Sequence, residues 1–180
     1  MRKLMVSVAA AAIAFCPAVF AQSLGEKTGV NSVLGVSPST PDFVKEAANS
    51  DMLEIAAAKI AQEKGNPEEK KFAEQMITDH SKTSSDLKSM TTSGEVKAEI
   101  PSTMDSAYEK KLDKLRDTKP ADFSSEYDPM QVSAHKDAVS LFQRYSKSGD
   151  NPQLKDWAGK TLPTLQHHLE MAEALDKKRD

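Results

Sequence analysis

Apolar residues recur with a helical period in four long segments of the chain, and no segment alternates with the period of a β-strand. The clearest pattern lies in residues 151–178, where core-type positions follow one another at steps of four and three residues. That spacing keeps them on one face of an α-helix. The stripe consists of Leu154, Ala158, Thr161, Leu165, His168, Ala172 and Leu175. Similar stripes run through residues 40–65, 66–93 and 122–146, so the sequence predicts an all-α fold.

Capping residues and prolines set the predicted helix boundaries. The first helix is expected to begin at Thr40 as its N-cap, because a proline and an acidic residue follow, and to end at Gly65. The second begins directly at Asn66, again before a proline and acidic residues. A connection this short forces the two helices into an antiparallel hairpin.

The second half of the chain repeats this arrangement after a crossover. A shorter helix is predicted from Pro101 and Ser102 to about Arg116. The last two long helices contain Pro129 and Pro163, where a kink and a bend are expected. Two helical hairpins joined by a long crossover are the ferritin-like way to build a four-helix bundle, which is the architecture we predict.

The N-terminus has the pattern of a targeting segment. Two basic residues precede an apolar run, and a small residue precedes the expected cleavage after Ala21, so residues 1–21 are predicted to be a secretory signal peptide. Residues 22–39 are polar and aperiodic and are predicted to be a flexible leader. The bundle domain then covers residues 40–178, and the expected location is the periplasm or the outer membrane.

Composition narrows the classes of function. Cys16 is the single cysteine and falls in the predicted signal peptide, so a catalytic thiol or a thiolate metal site is excluded from the mature chain. The formal net charge of −3 argues against a nucleic-acid partner. No transmembrane span is expected in the mature chain, and no protein partner is indicated.

Each long helix carries one polar residue on its apolar stripe, near the middle of its length. These residues are Glu54, His80, His135 and His168. Asp79 and His167 flank them from positions turned about 100° away. Imidazoles and a carboxylate from facing helices are ligands that Zn²⁺, Cu²⁺ and Fe²⁺ accept, so the set predicts a metal site in the bundle interior.

Two other interpretations fit the same residues. The histidines could donate hydrogen bonds to Glu54 or to one another, in a non-catalytic envelope or interaction protein. They could also lie at helix interfaces with one edge in water. The residues three before the histidines are Ile77, Val132 and Leu165, so the Glu-x-x-His motif of di-iron proteins is missing. No nucleophile motif is present either, which argues against an enzyme without excluding one.

Several pieces of the sequence resemble a known family. They are Asp42-Phe43, Met52-x-Glu54, Phe72-Ala73-x-x-Met76-x-x-Asp79-His80, His135 and Thr161-Leu162-Pro163-x-Leu165-x-x-His168-Leu169. Together, over about residues 40–175, they resemble exported bacterial proteins described as a ferritin-like domain of unknown function and often labelled "predicted outer membrane protein". The resemblance implies the bundle and the envelope location, and no activity. The chain departs from the family pattern at Ser133, two residues before His135, and at Pro129.

Overall fold

A computed structural model of the chain describes residues 35–179, so the predicted signal peptide and most of the predicted leader lie outside the described residues. Within residues 35–179 the chain forms five α-helices and one 3₁₀ turn, with no strand, which confirms the all-α prediction. The helices are α1 (Thr40–Lys64), α2 (Pro67–Thr92), α3 (Ser106–Asp117), α4 (Phe123–Ser148) and α5 (Pro152–Arg179), and the 3₁₀ turn is Pro120–Asp122. None of the helices in this part of the chain is long and apolar enough to cross a membrane.

The helices pack mainly as two pairs, α1 with α2 and α4 with α5. Contacts of α1 with α4 and of α2 with α5 join the pairs, and α3 packs on α1. The tight connection between α1 and α2 is stabilised by a capping box, in which Asn66 Oδ1 accepts from the Glu69 backbone and Glu69 Oε2 accepts from the Asn66 backbone. Pro129 and Pro163 lie inside α4 and α5 without ending them.

The N-cap of α1 is Ser39 rather than the predicted Thr40. Ser39 has extended backbone angles, and its hydroxyl accepts a hydrogen bond from the Asp42 backbone N–H. Thr40 and its following proline take the first helical positions. The Thr40 hydroxyl instead bonds to the Tyr145 hydroxyl at 2.5 Å, so tertiary contact decides its role.

The short helix α3 starts at Ser106, four residues later than the predicted Ser102. The preceding residue, Asp105, has extended backbone angles, and its backbone N–H donates to Asn49 Oδ1 on α1 at 2.7 Å. Only Leu112 and Leu115 of α3 are buried. The helix therefore lies on the surface of the other helices.

Two apolar clusters fill the interior, one toward each end. The cluster near the α4–α5 connection contains Phe43, Leu87, Phe142, Tyr145 and Leu154. The cluster near the α1–α2 connection contains Leu53, Phe72, Met76, Phe123 and Ala172. On α2, α4 and α5, a buried histidine falls between the segments that build the two clusters. A polar layer thus separates the two halves of the core.

Candidate metal centre

The polar layer brings three histidines from three helices together. His80 of α2, His135 of α4 and His168 of α5 are each at most 2% exposed. Their ring centroids lie 5.5–5.8 Å apart. One ring nitrogen from each histidine lies within 4.8 Å of the corresponding nitrogens of the other two.

His80 is oriented by a carboxylate on the neighbouring helix α1. Its Nδ1 lies 2.8 Å from Asp51 Oδ1, and Asp51 is buried. Asp51 also accepts hydrogen bonds from the hydroxyls of Thr83 and Ser84, one turn beyond His80 on α2. The Nε2 atom of His80 has no hydrogen-bond partner among the described residues.

The other two rings are oriented in the same manner by different acceptors. His168 Nε2 lies 2.8 Å from Asp79 Oδ2, and that oxygen also accepts from the Gln75 side chain. His135 Nδ1 lies 2.9 Å from the backbone carbonyl oxygen of Gln131 on its own helix. The remaining nitrogens, His135 Nε2 and His168 Nδ1, lack a partner within residues 35–179.

These contacts determine which nitrogen carries the proton in each neutral ring. A carbonyl oxygen and an ionised carboxylate only accept, so the outward nitrogen of each ring must donate. The inward nitrogen then carries a lone pair. When all three rings are neutral, three lone pairs converge in a water-poor interior and repel one another, and a cation among them removes the repulsion. Orientation by carboxylates and carbonyls is also what metal-bound histidines show in general.

Burial and local charges shift the pKa values of the three histidines in different directions. Burial alone would lower the pKa of His80, but the hydrogen bond and the charge of Asp51, with Glu54 and Asp79, raise it above the ordinary value. Burial lowers the pKa of His135. Burial, only partly opposed by the Asp79 hydrogen bond, lowers the pKa of His168 to about 4. At neutral pH two of the three rings are therefore neutral and ready to act as ligands.

Glu54 lies beside the three histidines without belonging to the closest set. It is 1% exposed, and neither of its carboxylate oxygens has a hydrogen-bond partner in the described part of the chain. Its charge acts on both His80 and His135, so its carboxylate faces the same region. A buried carboxylate without a hydrogen-bond donor is stabilised by a cation nearby.

The predicted site residues therefore divide into three groups. The structure brings His80, His135 and His168 together, places Glu54 beside them, and places Asp79 behind His168. It does not bring His167 to this layer, since that side chain is 67% exposed and its nearest ion-pair partner is Glu170 at 3.8 Å.

Asp51 was not predicted, although the sequence contains a signal for it. Asp51 lies 14 residues before Gly65, and His80 lies 14 residues after Asn66. Residues equally distant from the turn of an antiparallel hairpin lie opposite each other. The sequence contains no comparable signal for the bond between His135 and the Gln131 carbonyl, because every residue has a backbone carbonyl.

Comparison with known proteins identifies the family. No curated protein and no solved structure matches the chain. A family model described as "Domain of unknown function (DUF4142)" matches residues 25–175, a span that contains Asp51, Glu54 and all three buried histidines. The chain therefore belongs to the DUF4142 family.

Proposed function

We propose that this protein is an exported, ferritin-like four-helix bundle that binds one divalent transition-metal ion through His80, His135 and His168, with Glu54 as a fourth ligand. The observation that carries the proposal is the convergence of three imidazole nitrogens within 4.8 Å, each on a ring held from behind by an acceptor. The predicted signal peptide supports export. The two helix pairs joined through α3 support the ferritin-like arrangement.

The geometry requires only a small adjustment to hold an ion. A tetrahedral metal at about 2.0–2.1 Å from each of three imidazole nitrogens needs those nitrogens roughly 3.3–3.6 Å apart. The nitrogens are already within 4.8 Å of one another, so the rings must approach by at most about 1.5 Å.

The donor set selects the class of metal and the class of function. Three imidazoles and one carboxylate suit Zn²⁺, Cu²⁺ and Fe²⁺, with Cu²⁺ binding most tightly in the general order of affinity. A di-iron centre needs more carboxylates at its core than Glu54 alone supplies. Metal binding for storage, sensing or protection from metal stress therefore fits the residues better than oxygen activation.

Metal analysis of protein purified without a histidine tag tests the proposal. We expect about one equivalent of metal, and a higher melting temperature when Zn²⁺, Cu²⁺ or Fe²⁺ is added to metal-free protein. Free metal at 100 times its dissociation constant adds about 2.7 kcal/mol of stability. For a domain of this size that corresponds to roughly 6–12 °C.

A matched pair of variants separates the centre from adventitious binding. Replacing His80, His135 and His168 together by Gln should abolish uptake, whereas His167→Gln, next to His168 but exposed, should leave uptake unchanged. If no metal co-purifies and none of the three ions moves the melting temperature, the proposal is wrong. The buried histidines then have the structural role of the alternative interpretation.

A further inference from the structure

A second group of buried polar atoms lies on the side of the histidines that faces the α1–α2 connection. Both carboxylate oxygens of Glu54, both polar atoms of the Gln131 side chain, the Tyr127 hydroxyl and Glu69 Oε1 have no hydrogen-bond partner within residues 35–179. All four side chains are at most 1% exposed. Buried polar atoms in native proteins are normally paired, so this group requires an explanation.

The group extends along the bundle axis away from the histidines. Tyr127, Gln131 and His135 follow one another at four-residue spacing on α4, so they share one face at intervals of about 6 Å. Burial raises the pKa of Tyr127, and the charges of Glu54, Asp128 and Glu69 raise it further. The tyrosine hydroxyl therefore faces carboxylates from α1, α2 and its own helix.

The far end of this row meets the protein surface. A depression of about 550 Å³ lies at the α1–α2 connection and is lined by Asn66, Pro67, Glu68, Ser124, Asp128, Leu175 and Lys178. Asp128 belongs to this depression and directly follows Tyr127, and it is 2% exposed. Its charge also acts on the Tyr127 hydroxyl, so the depression adjoins the row of polar atoms at this carboxylate.

We propose that this row, from Asp128 through Tyr127, Glu69, Gln131 and Glu54, is the path by which a divalent cation reaches the three histidines. The inference rests on the proposed metal-binding function and adds the direction of entry. Carboxylate, amide and phenol oxygens replace part of the hydration shell of a moving cation. The row before Glu54 binds borderline metals more weakly than three imidazoles and Glu54 do together, so the ion does not stop before it reaches that set.

A lateral route is the competing one. A groove of about 710 Å³ between α2 and α5 is lined by residues that include Gln75, Thr78 and His167. Its lining residue Gln75 bonds to Asp79, which also bonds to His168. An ion that enters there must break the bond that orients a ligand, whereas the side chains of Glu54, Tyr127 and Gln131 have no hydrogen bond to lose within residues 35–179.

The rate of metal uptake distinguishes the two routes. We would mix metal-free protein rapidly with Co²⁺, whose visible absorption reports binding to the histidines, and then remove the ion with a chelator. Tyr127→Phe and Gln131→Leu place apolar surface in the row. We expect each to slow uptake and release by about tenfold or more, because apolar constrictions exclude hydrated ions. The affinity of Tyr127→Phe should stay within about threefold of the wild type, since a path changes rates in both directions equally.

Thr78→Val is the matched control in the lateral groove. The Thr78 hydroxyl bonds to the Glu74 carbonyl of its own helix, and its loss should leave both rates unchanged. Unaltered rates in a folded Tyr127→Phe protein, or slower uptake by Thr78→Val, would overturn the axial path while the metal site stands. If the wild type takes up no Co²⁺ or Zn²⁺ at all, the metal site and the path both fail.

Discussion

At the scale of single residues, the centre depends on what lies behind each histidine. His80 rests on a carboxylate that two hydroxyls also hold, His168 on a partly exposed carboxylate, and His135 on a backbone carbonyl. The Asp51 carboxylate is the most completely bonded of the three acceptors. We therefore expect the orientation of His80 to be the most strictly determined in the layer.

Asp51→Asn tests this orientation. The amide retains the shape of the carboxylate and one acceptor oxygen but removes the charge, so the hydrogen bond that selects the His80 tautomer is weakened. Metal affinity should fall by about 10- to 100-fold, the usual effect of losing an outer partner of a ligand. Competition with a chelating dye measures this affinity, and the nitrogen chemical shifts of His80 report its tautomer.

Asp86→Asn is the control. Asp86 is only partly buried, and it forms an ion pair with Lys82 on the outer side of α2. The metal affinity of Asp86→Asn should equal that of the wild type. Wild-type affinity in Asp51→Asn, with an unchanged His80 tautomer, would show that Asp51 does not position the ring.

At this scale the sequence predicts the inward residues better than their partners. A histidine on an apolar stripe stands out by its type, so His80, His135 and His168 were identified from residue type and helical spacing. The bonds to Asp51 and to the Gln131 carbonyl depend on how two helices face each other or on side-chain rotation. Neither is encoded in the period of the stripe.

At the scale of elements, the close approach of Gly149 to α4 fixes the connection between α4 and α5. A Cβ atom at Gly149 would lie 2.6 Å from the Tyr145 ring and 2.7 Å from the Tyr145 carbonyl oxygen. That ring cannot easily move, since it stacks on Phe43 at 4.1 Å and its hydroxyl bonds to Thr40. Only glycine fits this position without displacing the ring.

Two glycine substitutions should therefore have opposite effects on stability. Gly149→Ala should lower the free energy of unfolding by about 1–3 kcal/mol through overpacking. Gly159→Ala, in the middle of α5, places its Cβ at an ordinary 3.7 Å from Ser146 and should raise the free energy by about 0.5–1 kcal/mol. Urea unfolding followed by circular dichroism measures both. Equal effects of the two variants would contradict the close approach at Gly149.

The sequence predicted which segments form helices better than it predicted the residues at which the helices begin and end. The hairpin at Asn66 followed from its proline and acidic residues, and the structure adds the capping box. The predicted N-cap of α1 and the predicted start of α3 were wrong because residues distant in sequence compete for the local polar groups. Tyr145 bonds to the Thr40 hydroxyl, and Asn49 accepts from the Asp105 backbone. Local rules cannot include such partners.

At the scale of the whole molecule, a layer of ionisable groups divides the core into two apolar halves. Without metal, His135 and His168 are held with lowered pKa values and His80 with a raised one. A histidine whose pKa is lowered by folding contributes less to stability as the solution becomes acidic, because the unfolded chain then binds more protons than the folded one. His80 acts in the opposite sense, since its contribution is lost as the pH rises through its folded-state pKa.

Metal-free protein should therefore lose stability between about pH 6.5 and pH 4 partly through His168. Its pKa falls from the ordinary 6.5 to about 4, which corresponds to roughly 3 kcal/mol over that window. His168→Gln should unfold with a flatter pH dependence there, whereas exposed His167→Gln should follow the wild type. Urea unfolding in a chelating buffer measures this, and parallel pH profiles for all three proteins would refute it.

The three histidines also belong to different halves of the chain, His80 to the first helix pair and the other two to the second. An ion held by all three would tie positions 80, 135 and 168 together as a reversible cross-link. With a single cysteine, the chain cannot form an internal disulfide to do the same. Metal supply would then set how firmly one half of the molecule is tethered to the other.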